Sequence, residues 1–294
     1  MSTIADNLQT LINCKTDMKS AIREKEVTVS GGLSTYADAI YDIAIEEDDD
    51  NSPKYIICEE GLSFNSSADT EYFDLSKIVN AEDLFGNRHV TAITPNLKNI
   101  NIINSNSITN ARTMFNNCTW LINITGLITN NVTDMHGMFL SCKALPELPE
   151  MNTSKVTDMM GMCEGCSSLK NIEKLNTSKV KDMRLTFYGC SNLESLPLMD
   201  FSSVVNVQEF LGNNNTITTL GGFKNLGGVS GFIGSNYGFL EGCPNLTYES
   251  IMNVINNLAT ARGENELKLH SNVLNKLSKY DIAKATNKGW VITA

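Results

Sequence analysis

A 24-residue period governs the middle of the chain and limits what it can fold into. Units that keep register without an insertion begin at Ile108, Val132, Val156, Val180 and Val204. Looser copies begin at Ile78 and Ile233, separated from this block by extra residues. A fixed period of this length is typical of a solenoid, in which each unit buries its apolar face against its neighbours. Solenoids serve mostly as binding surfaces and scaffolds, so the period favours a non-enzymatic function.

The composition argues against several classes of protein. The formal net charge of −10 argues against nucleic-acid binding, which needs clustered lysine and arginine. The sequence contains no run of about eighteen apolar residues, so we expect no membrane insertion. The N-terminus lacks the basic and apolar regions of a secretory signal, so we expect no export by that route.

Position 2 of each unit, counting the Val132-type residue as position 0, is a short polar residue. The residues are Asn80, Asn110, Asp134, Asp158, Asp182, Asn206 and Ser235. Such side chains are favoured as helix N-caps, because their oxygen accepts a free backbone N–H of the first turn. A cation-binding column is the alternative, which is disfavoured because carboxylates stacked about 5 Å apart would repel one another.

Positions 3, 6 and 7 are apolar, as at Met135, Met138 and Phe139, and predict a short helical segment of about two turns. We interpret this methionine-rich stripe as core, with an adaptable binding groove as the alternative. Positions 13 and 16, as at Leu145 and Leu148, predict a short strand that faces the interior. Strands of successive units are expected to form a parallel sheet with about 4.8 Å between units.

Position 10 is cysteine in most units. The residues are Cys118, Cys142, Cys166, Cys190, Asn214 and Cys243. We interpret them as small buried residues that face one another in successive units. A metal or redox site is the alternative, since Cys163 and Cys166 form a Cys-x-x-Cys pair, but a ladder spreads its thiols along an axis. We therefore expect no metal and no cofactor.

Positions 4 and 5 vary most in chemistry while their neighbours keep their character, which marks an outward face. The candidate ligand-binding residues are Arg112, His136, Arg184, Gln208 and Tyr237. We expect a column of hydrogen-bonding and stacking groups suited to an extended polymer such as a surface glycan, with solvated side chains as the alternative. No histidine has a serine or cysteine nucleophile in a recognisable context, and no P-loop or dinucleotide motif is present, so no catalytic residue is assigned.

The run Asn-Thr-Ser-Lys-Val-Thr-Asp-Met from Asn152, with a close copy from Asn176, resembles the BspA-type leucine-rich repeats of bacterial surface proteins. The resemblance covers about residues 75–250. It implies a curved leucine-rich-repeat solenoid used for adhesion or partner binding, and it brings no catalytic residues. The predicted fold class is an α/β repeat, with a short helical turn and a short parallel strand in each coil, over residues 55–246.

Residues 1–45 are predicted to form a separate helical module, joined to the repeats by an acidic linker at residues 46–54. Its candidate anchoring or oligomerisation residues are Leu8, Leu11, Ile12, Met18, Ile22, Tyr36 and Ile40. So short a module buries little surface by itself. We therefore expect it to dock on a partner or to form a homo-oligomer, with a cap on the repeats as the alternative.

The same module resembles an N-terminal segment of virion and tail-fibre proteins from phages of gut Bacteroidales. The resemblance rests on Lys15, Lys19 and Lys25 and on the run Tyr-Ala-Asp-Ala-Ile that begins at Tyr36. Glu26 departs from the pattern, which often has glycine there. The resemblance implies a virion protein that is assembled in the host cytoplasm with other virion proteins as partners.

Residues 247–294 are predicted to form an α/β cap, which resembles the terminal unit of BspA-like proteins. The expected elements are a helix from Thr247 to Leu258, a strand over residues 266–270, a helix from about Asn272 to Thr286 and a final strand from Trp290. Such a cap would cover the open edge of the last unit.

These features predict a non-enzymatic phage virion structural protein, which would be a fibre, appendage or decoration subunit. It would anchor by its N-terminus and present its repeats for attachment to a host surface or glycan. The alternatives are a bacterial BspA-like adhesin located on the cell surface and a cytoplasmic protein-interaction scaffold.

Overall fold

A computed structural model describes residues 56–58, 70–86, 97–172, 175–229, 239–263 and 265–294. The predicted N-terminal module and acidic linker lie outside these residues, as does the start of the loose copy at Ile233. The anchoring residues Leu8, Leu11, Ile12, Met18, Ile22, Tyr36 and Ile40 lie outside them as well.

Successive units lie side by side in parallel and in register at one repeat position. Parallel backbone bridges join Asn80 to Asn110, Asn110 to Asp134, Asp134 to Asp158, Asp158 to Asp182 and Asp182 to Asn206. All of these residues occupy position 2. The first bridge keeps this register although extra residues separate its two units.

The segment that follows position 2 is a chain of tight turns, so the predicted short helix is wrong. In the unit that begins at Val132, the backbone N–H groups of Met135, Gly137, Phe139 and Ser141 donate to carbonyls of the next unit. The N–H groups between them, at Met138, Leu140 and Cys142, donate to the carbonyl three residues back. An α-helix needs donation to the carbonyl four residues back in the same segment. Here half of the donors leave the unit, so no helix can form.

The alternation depends on left-handed backbone conformations at positions 5 and 9. At position 5, φ is 52° at Thr113, 58° at Gly137, 59° at Gly161, 56° at Leu185 and 52° at Glu209. At position 9, φ is 61° at Asn117, 60° at Ser141, 72° at Gly165, 68° at Gly189 and 59° at Asn213. Glycine and asparagine tolerate this region, which accounts for their recurrence at these positions.

Short parallel strands form on another side of the units. Strands β1 (Ile56–Ile57), β2 (Thr70–Asp74), β3 (Asn99–Ile103) and β4 (Asn123–Thr125) form one sheet in that order. Strand β5 (Ser195–Leu196) pairs with β7 (Thr219–Leu220), and β6 (Met199–Asp200) pairs with β8 (Phe223–Lys224). A 3₁₀ turn spans Ser105–Ser107.

The described residues between β4 and β5 form no strand of two or more residues. Pro146 is one reason, because it removes a backbone hydrogen bond between units. At the equivalent position, the N–H groups of Ile122, Lys170 and Glu194 each donate to a carbonyl of the preceding unit. Proline has no N–H, so this rung is missing at Pro146. The segment around Pro149 borders a groove on each side.

The interior contains the apolar repeat positions, and the position 10 side chains bond there from one unit to the next. Each donates to the position 7 carbonyl of the preceding unit. The pairs are Cys118 Sγ to Phe85 (3.3 Å), Cys142 Sγ to Phe115 (3.1 Å), Cys166 Sγ to Phe139 (3.0 Å), Cys190 Sγ to Cys163 (3.1 Å), Asn214 Nδ2 to Phe187 (2.7 Å) and Cys243 Sγ to Leu211 (3.3 Å). The described cysteines are buried thiols that form no disulfide among themselves. Burial raises the pKa of Cys118 to about 12, so that thiol is unreactive at neutral pH.

The α-helices among the described residues lie in the C-terminal region. They are α1 (Tyr248–Asn257), α2 (Ser271–Leu274) and α3 (Lys279–Thr286), with strands β9 (Asn265–Lys268) and β10 (Trp290–Thr293) paired in parallel. The single helix expected from about Asn272 to Thr286 is therefore wrong. Ser278 and Asp281 form a capping box, which starts a new helix where one continuous helix was expected. Within the described residues, no helix has the length and apolar character that a bilayer span requires.

Candidate binding surface

The predicted position 4 residues form a column, because backbone hydrogen bonds hold them in register. Thr113 N–H donates to the carbonyl of His136 (2.8 Å), and Leu185 N–H donates to that of Gln208 (3.0 Å). Arg112, His136, Arg184 and Gln208 are all partly exposed. Met160 occupies the same position between His136 and Arg184. Tyr237, the remaining predicted member, lies outside the described residues.

The position 2 side chains fix the backbone beneath this column. The Oδ1 atom of Asp134 accepts from His136 N–H at 2.8 Å, and that of Asp158 accepts from Met160 N–H at 2.8 Å. Asn110 makes the same bond with an amide oxygen, at 2.9 Å. The expectation of a helix N-cap is therefore corrected, because the oxygen closes a local Asx turn and no helix follows.

Ion pairs hold both arginines of the column. Arg184 Nε lies 3.0 and 2.9 Å from the two carboxylate oxygens of Asp182, and its Nη2 lies 2.7 Å from Oδ2. This hydrogen-bonded pair raises the pKa of Arg184. Arg112 Nε lies 3.6 Å from Glu82 Oε1. The two guanidinium groups are thus pre-oriented and partly neutralised, and their remaining N–H donors are available to a ligand.

His136 and Asp158 have shifted pKa values. Burial lowers the pKa of His136, and the positive charge of Arg112 lowers it further, so the ring is neutral at pH 7. Burial raises the pKa of Asp158, and the flanking carboxylates of Asp134 and Asp182 add to the rise. A neutral imidazole offers both a donor and an acceptor, which suits the recognition of hydroxyl groups.

A second row of side chains, at position 8, was not predicted from the sequence. Its partly exposed members are Leu140, Glu164 and Tyr188. The ring of Tyr188 lies against Gly212, where an added Cβ would come within 2.7 Å of Tyr188 Cδ2. The period contained a usable signal, because position 8 differs in chemistry from unit to unit as much as position 4 does.

Metal ligation finds no support in the geometry of the residues that the structure describes. Among them, no three histidine, cysteine, aspartate or glutamate side chains could hold a metal ion together. The position 10 thiols donate to carbonyls of the preceding units, and the position 2 carboxylates accept from local N–H groups. The side chains of both columns therefore stabilise the backbone. The side chains that differ in chemistry from unit to unit are those at positions 4 and 8.

Comparison with known families gives one match. Residues 79–195 and 109–220 match the model of a family described as "Mycoplasma protein of unknown function, DUF285". The matched ranges include the units joined by the position 2 bridges. No curated protein and no solved structure matches the chain. The chain is thus similar to this family over its repeat units, and the family's description assigns no activity.

Proposed function

We propose that the protein is a non-enzymatic structural protein of a phage virion, in the role of a fibre, appendage or decoration subunit. Its units would form a BspA-like leucine-rich-repeat solenoid, closed by a cap at residues 247–294. Parallel bridges that fall repeatedly on position 2 support a solenoid. The pattern around Lys15 and Tyr36, which is similar to virion and tail-fibre proteins, supports the virion assignment.

The observation that carries the attachment function is the column of Arg112, His136, Arg184 and Gln208. Backbone hydrogen bonds between units fix the spacing of these side chains, at about 4.8 Å per unit. A surface ordered before binding loses little conformational entropy when a ligand arrives. An extended host glycan, with hydroxyl groups at regular intervals, is the ligand that such a column fits best.

The attachment function is tested by removing hydrogen-bonding and stacking groups from the column. Arg184→Ala combined with Tyr237→Ala should lower binding to host cells. The midpoint of thermal unfolding should change little, because exposed pairs such as Arg184 with Asp182 contribute about 0–1 kcal/mol. Lys181→Ala, an exposed charge in the same unit as Arg184 but outside the column, is the matched control. Unchanged cell binding in the double variant would place attachment elsewhere.

The virion assignment is tested on particles. Mass spectrometry of purified virions should detect the protein, and imaging should place it on the particle. Deletion of residues 1–50 should leave the repeats folded, because they have their own core, and should abolish incorporation and oligomerisation. Absence from virions with presence on bacterial cells would favour the BspA-like adhesin. Absence from both would favour a cytoplasmic scaffold.

A further inference from the structure

Strand β4 is the last strand of the sheet that begins with β1, and no described strand pairs with its outer edge. The unit that begins at Val132 follows β4, but Pro146 has no N–H to donate to the carbonyl of Ile122. That carbonyl accepts no hydrogen bond from the described part of the chain. A sheet edge with unpaired backbone groups is a template on which another chain can add a strand.

The segment that follows Pro146 also leaves its backbone unpaired. Four of its N–H groups donate to no residue that the structure describes, namely those of Glu147, Leu148, Glu150 and Met151. Equivalent residues of other units are paired, as Asn171 is with Ser195 and Met199 is with Phe223. Such groups are solvated at a surface, and the main chain of a partner can take the place of water there.

A groove lies between β4 and this segment. We name it the β4 groove; residues 124–130 line one wall and residues 149–152 line the other. Its volume is about 560 Å³, which is within the range of ligand-binding sites. Leu127 and Met151 give it apolar surface, and Met151 is partly exposed. Asn152 Nδ2 donates to Asn130 Oδ1 at 2.9 Å and so joins the two walls.

The charge beside the groove favours a basic occupant. Glu147 and Glu150 are exposed, and neither forms an ion pair with any residue that the structure describes. A lysine or arginine of a bound peptide can therefore pair with them without breaking an existing ion pair. The unpaired backbone groups favour a peptide over a glycan, because a peptide main chain supplies N–H and C=O groups in alternation.

We propose that the β4 groove binds an extended basic peptide of a protein partner, which adds a strand to the outer edge of β4. The main chain of the peptide forms hydrogen bonds with the backbone groups that Pro146 leaves without a partner. Its apolar side chains contact Leu127 and Met151, and its cationic side chains pair with Glu147 and Glu150. This site goes beyond the proposed function and depends on neither the virion assignment nor the position 4 column.

The experiment uses the full chain and a fluorescent peptide of alternating lysine and valine, whose binding is followed by anisotropy. Two further peptides are N-methylated at every second residue, one in each register, so that their charge is unchanged and half of their N–H donors are lost. At least one of them should bind about tenfold more weakly, as the loss of main-chain hydrogen bonds predicts. Bound peptide should slow hydrogen exchange of the amides in residues 122–130 and 147–152, and leave those of residues 195–224 unchanged.

Variants of the protein test the role of Pro146. Pro146→Lys places there the residue found at the equivalent Lys170 and restores an N–H that can donate to Ile122, so peptide binding should weaken roughly tenfold. Thr218→Lys adds the same charge at the equivalent, exposed position of a later unit and should leave binding unchanged. Glu150→Gln should weaken binding about threefold, since the carboxylate is exposed, whereas Glu194→Gln, outside the groove, should not.

Four results would overturn the proposal. Equal binding of all three peptides, or equal losses in Pro146→Lys and Thr218→Lys, would show that charge attraction alone explains binding. Binding of a neutral oligosaccharide such as maltoheptaose at the same amides, without peptide binding, would assign the groove to a glycan. Self-association that Pro146→Lys abolishes, again without peptide binding, would make a second copy of the chain the occupant.

Discussion

Cys142 donates its thiol hydrogen to the backbone carbonyl of Phe115, 3.1 Å away in the preceding unit. The same carbonyl also accepts the backbone N–H of Cys118, so the thiol occupies its second acceptor site. Position 10 therefore requires a small donor, and cysteine meets both requirements inside a tightly packed interior.

Removing this thiol should destabilise the protein. Cys142→Ala loses the hydrogen bond and leaves a small cavity, so we expect a loss of about 2 kcal/mol in the free energy of unfolding. Cys142→Ser keeps a donor and should lose less. Denaturant unfolding of both variants measures the difference, and a serine variant less stable than the alanine variant would show that the donor is unimportant.

Asn214 occupies position 10 but leaves one buried polar atom without a hydrogen bond, so replacing Asn214 with cysteine should stabilise the protein. Its Nδ2 donates to the carbonyl of Phe187 at 2.7 Å, but its Oδ1 is buried without a partner among the described residues. A buried unsatisfied acceptor costs about 1–3 kcal/mol. Asn214→Cys keeps a donor and removes this acceptor, so we expect a gain of about 1 kcal/mol. A measured loss would mean that the amide fills space that a thiol cannot.

Asp158 should make stability depend on pH in a direction unusual for a carboxylate. Burial and the neighbouring carboxylates raise its pKa. The protonated form is therefore favoured in the fold, and stability falls as pH rises from the unfolded value, near 4, through the raised value. Asp158→Asn should raise the free energy of unfolding at pH 7 by under about 1 kcal/mol, since the group is half-exposed and screened. The advantage should vanish at pH 4 and below.

Asp200 provides a control of opposite sign for Asp158→Asn. Burial alone would raise its pKa, but hydrogen bonds from Ser202 and the pairing with Lys224 outweigh burial and lower the pKa. Asp200→Asn should therefore reduce stability at pH 7, and the reduction should fade as pH falls through the lowered value. Urea titrations of both variants over this pH range test the pair. If both variants shift stability in the same direction, the electrostatic account of Asp158 is wrong.

Gly126 should be intolerant of any side chain, whereas Gly263 should not. A Cβ on Gly126 would lie 1.9 Å from the backbone oxygen of Ile102, and φ is 72° there. Backbone cannot yield as a flexible side chain can, so Gly126→Ala should cost several kcal/mol, roughly 3 or more. Gly263 has nothing within 4 Å of an added Cβ, so Gly263→Ala should change stability by under about 0.5 kcal/mol. Thermal unfolding distinguishes the two.

The sequence predicted the register of the units better than their backbone path. The recurrence of one residue type every 24 positions pairs Asn110 with Asp134, and the structure has that pair. The apolar spacing of Met135, Met138 and Phe139 also fits a helix, and for this reason a short helix was wrongly predicted there. Periodicity reports which side chains are buried, and it does not report where each N–H donates. The recurring glycines at positions 5 and 9 were the local signal for turns.

The candidate surface was predicted only in part, because repeat periodicity identifies which positions vary and does not give the backbone conformation. Position 4 was found, together with position 5, because the chemistry of both varies between fixed neighbours. Position 8 follows one turn later on the same segment. Leu140 and Tyr188, each considered without its equivalents in other units, suggest buried residues, so this row was not predicted. The left-handed conformation of Leu185 could not be found from the sequence, because its N–H donates to a carbonyl of another unit.

The direction of backbone donation makes the protein adjustable in length. In the units that begin at Ile108, Val132, Val156 and Val180, the N–H groups at positions 3, 5, 7 and 9 donate to the next unit in one pattern, so a unit inserted between Asn131 and Val132 would find donors on one side and acceptors on the other. Every insertion would extend the stacked units by about 4.8 Å and leave the existing bonds of other units intact. The length of the repeat array can therefore change only in whole units, and the spacing of hydrogen-bonded backbones sets the size of each step.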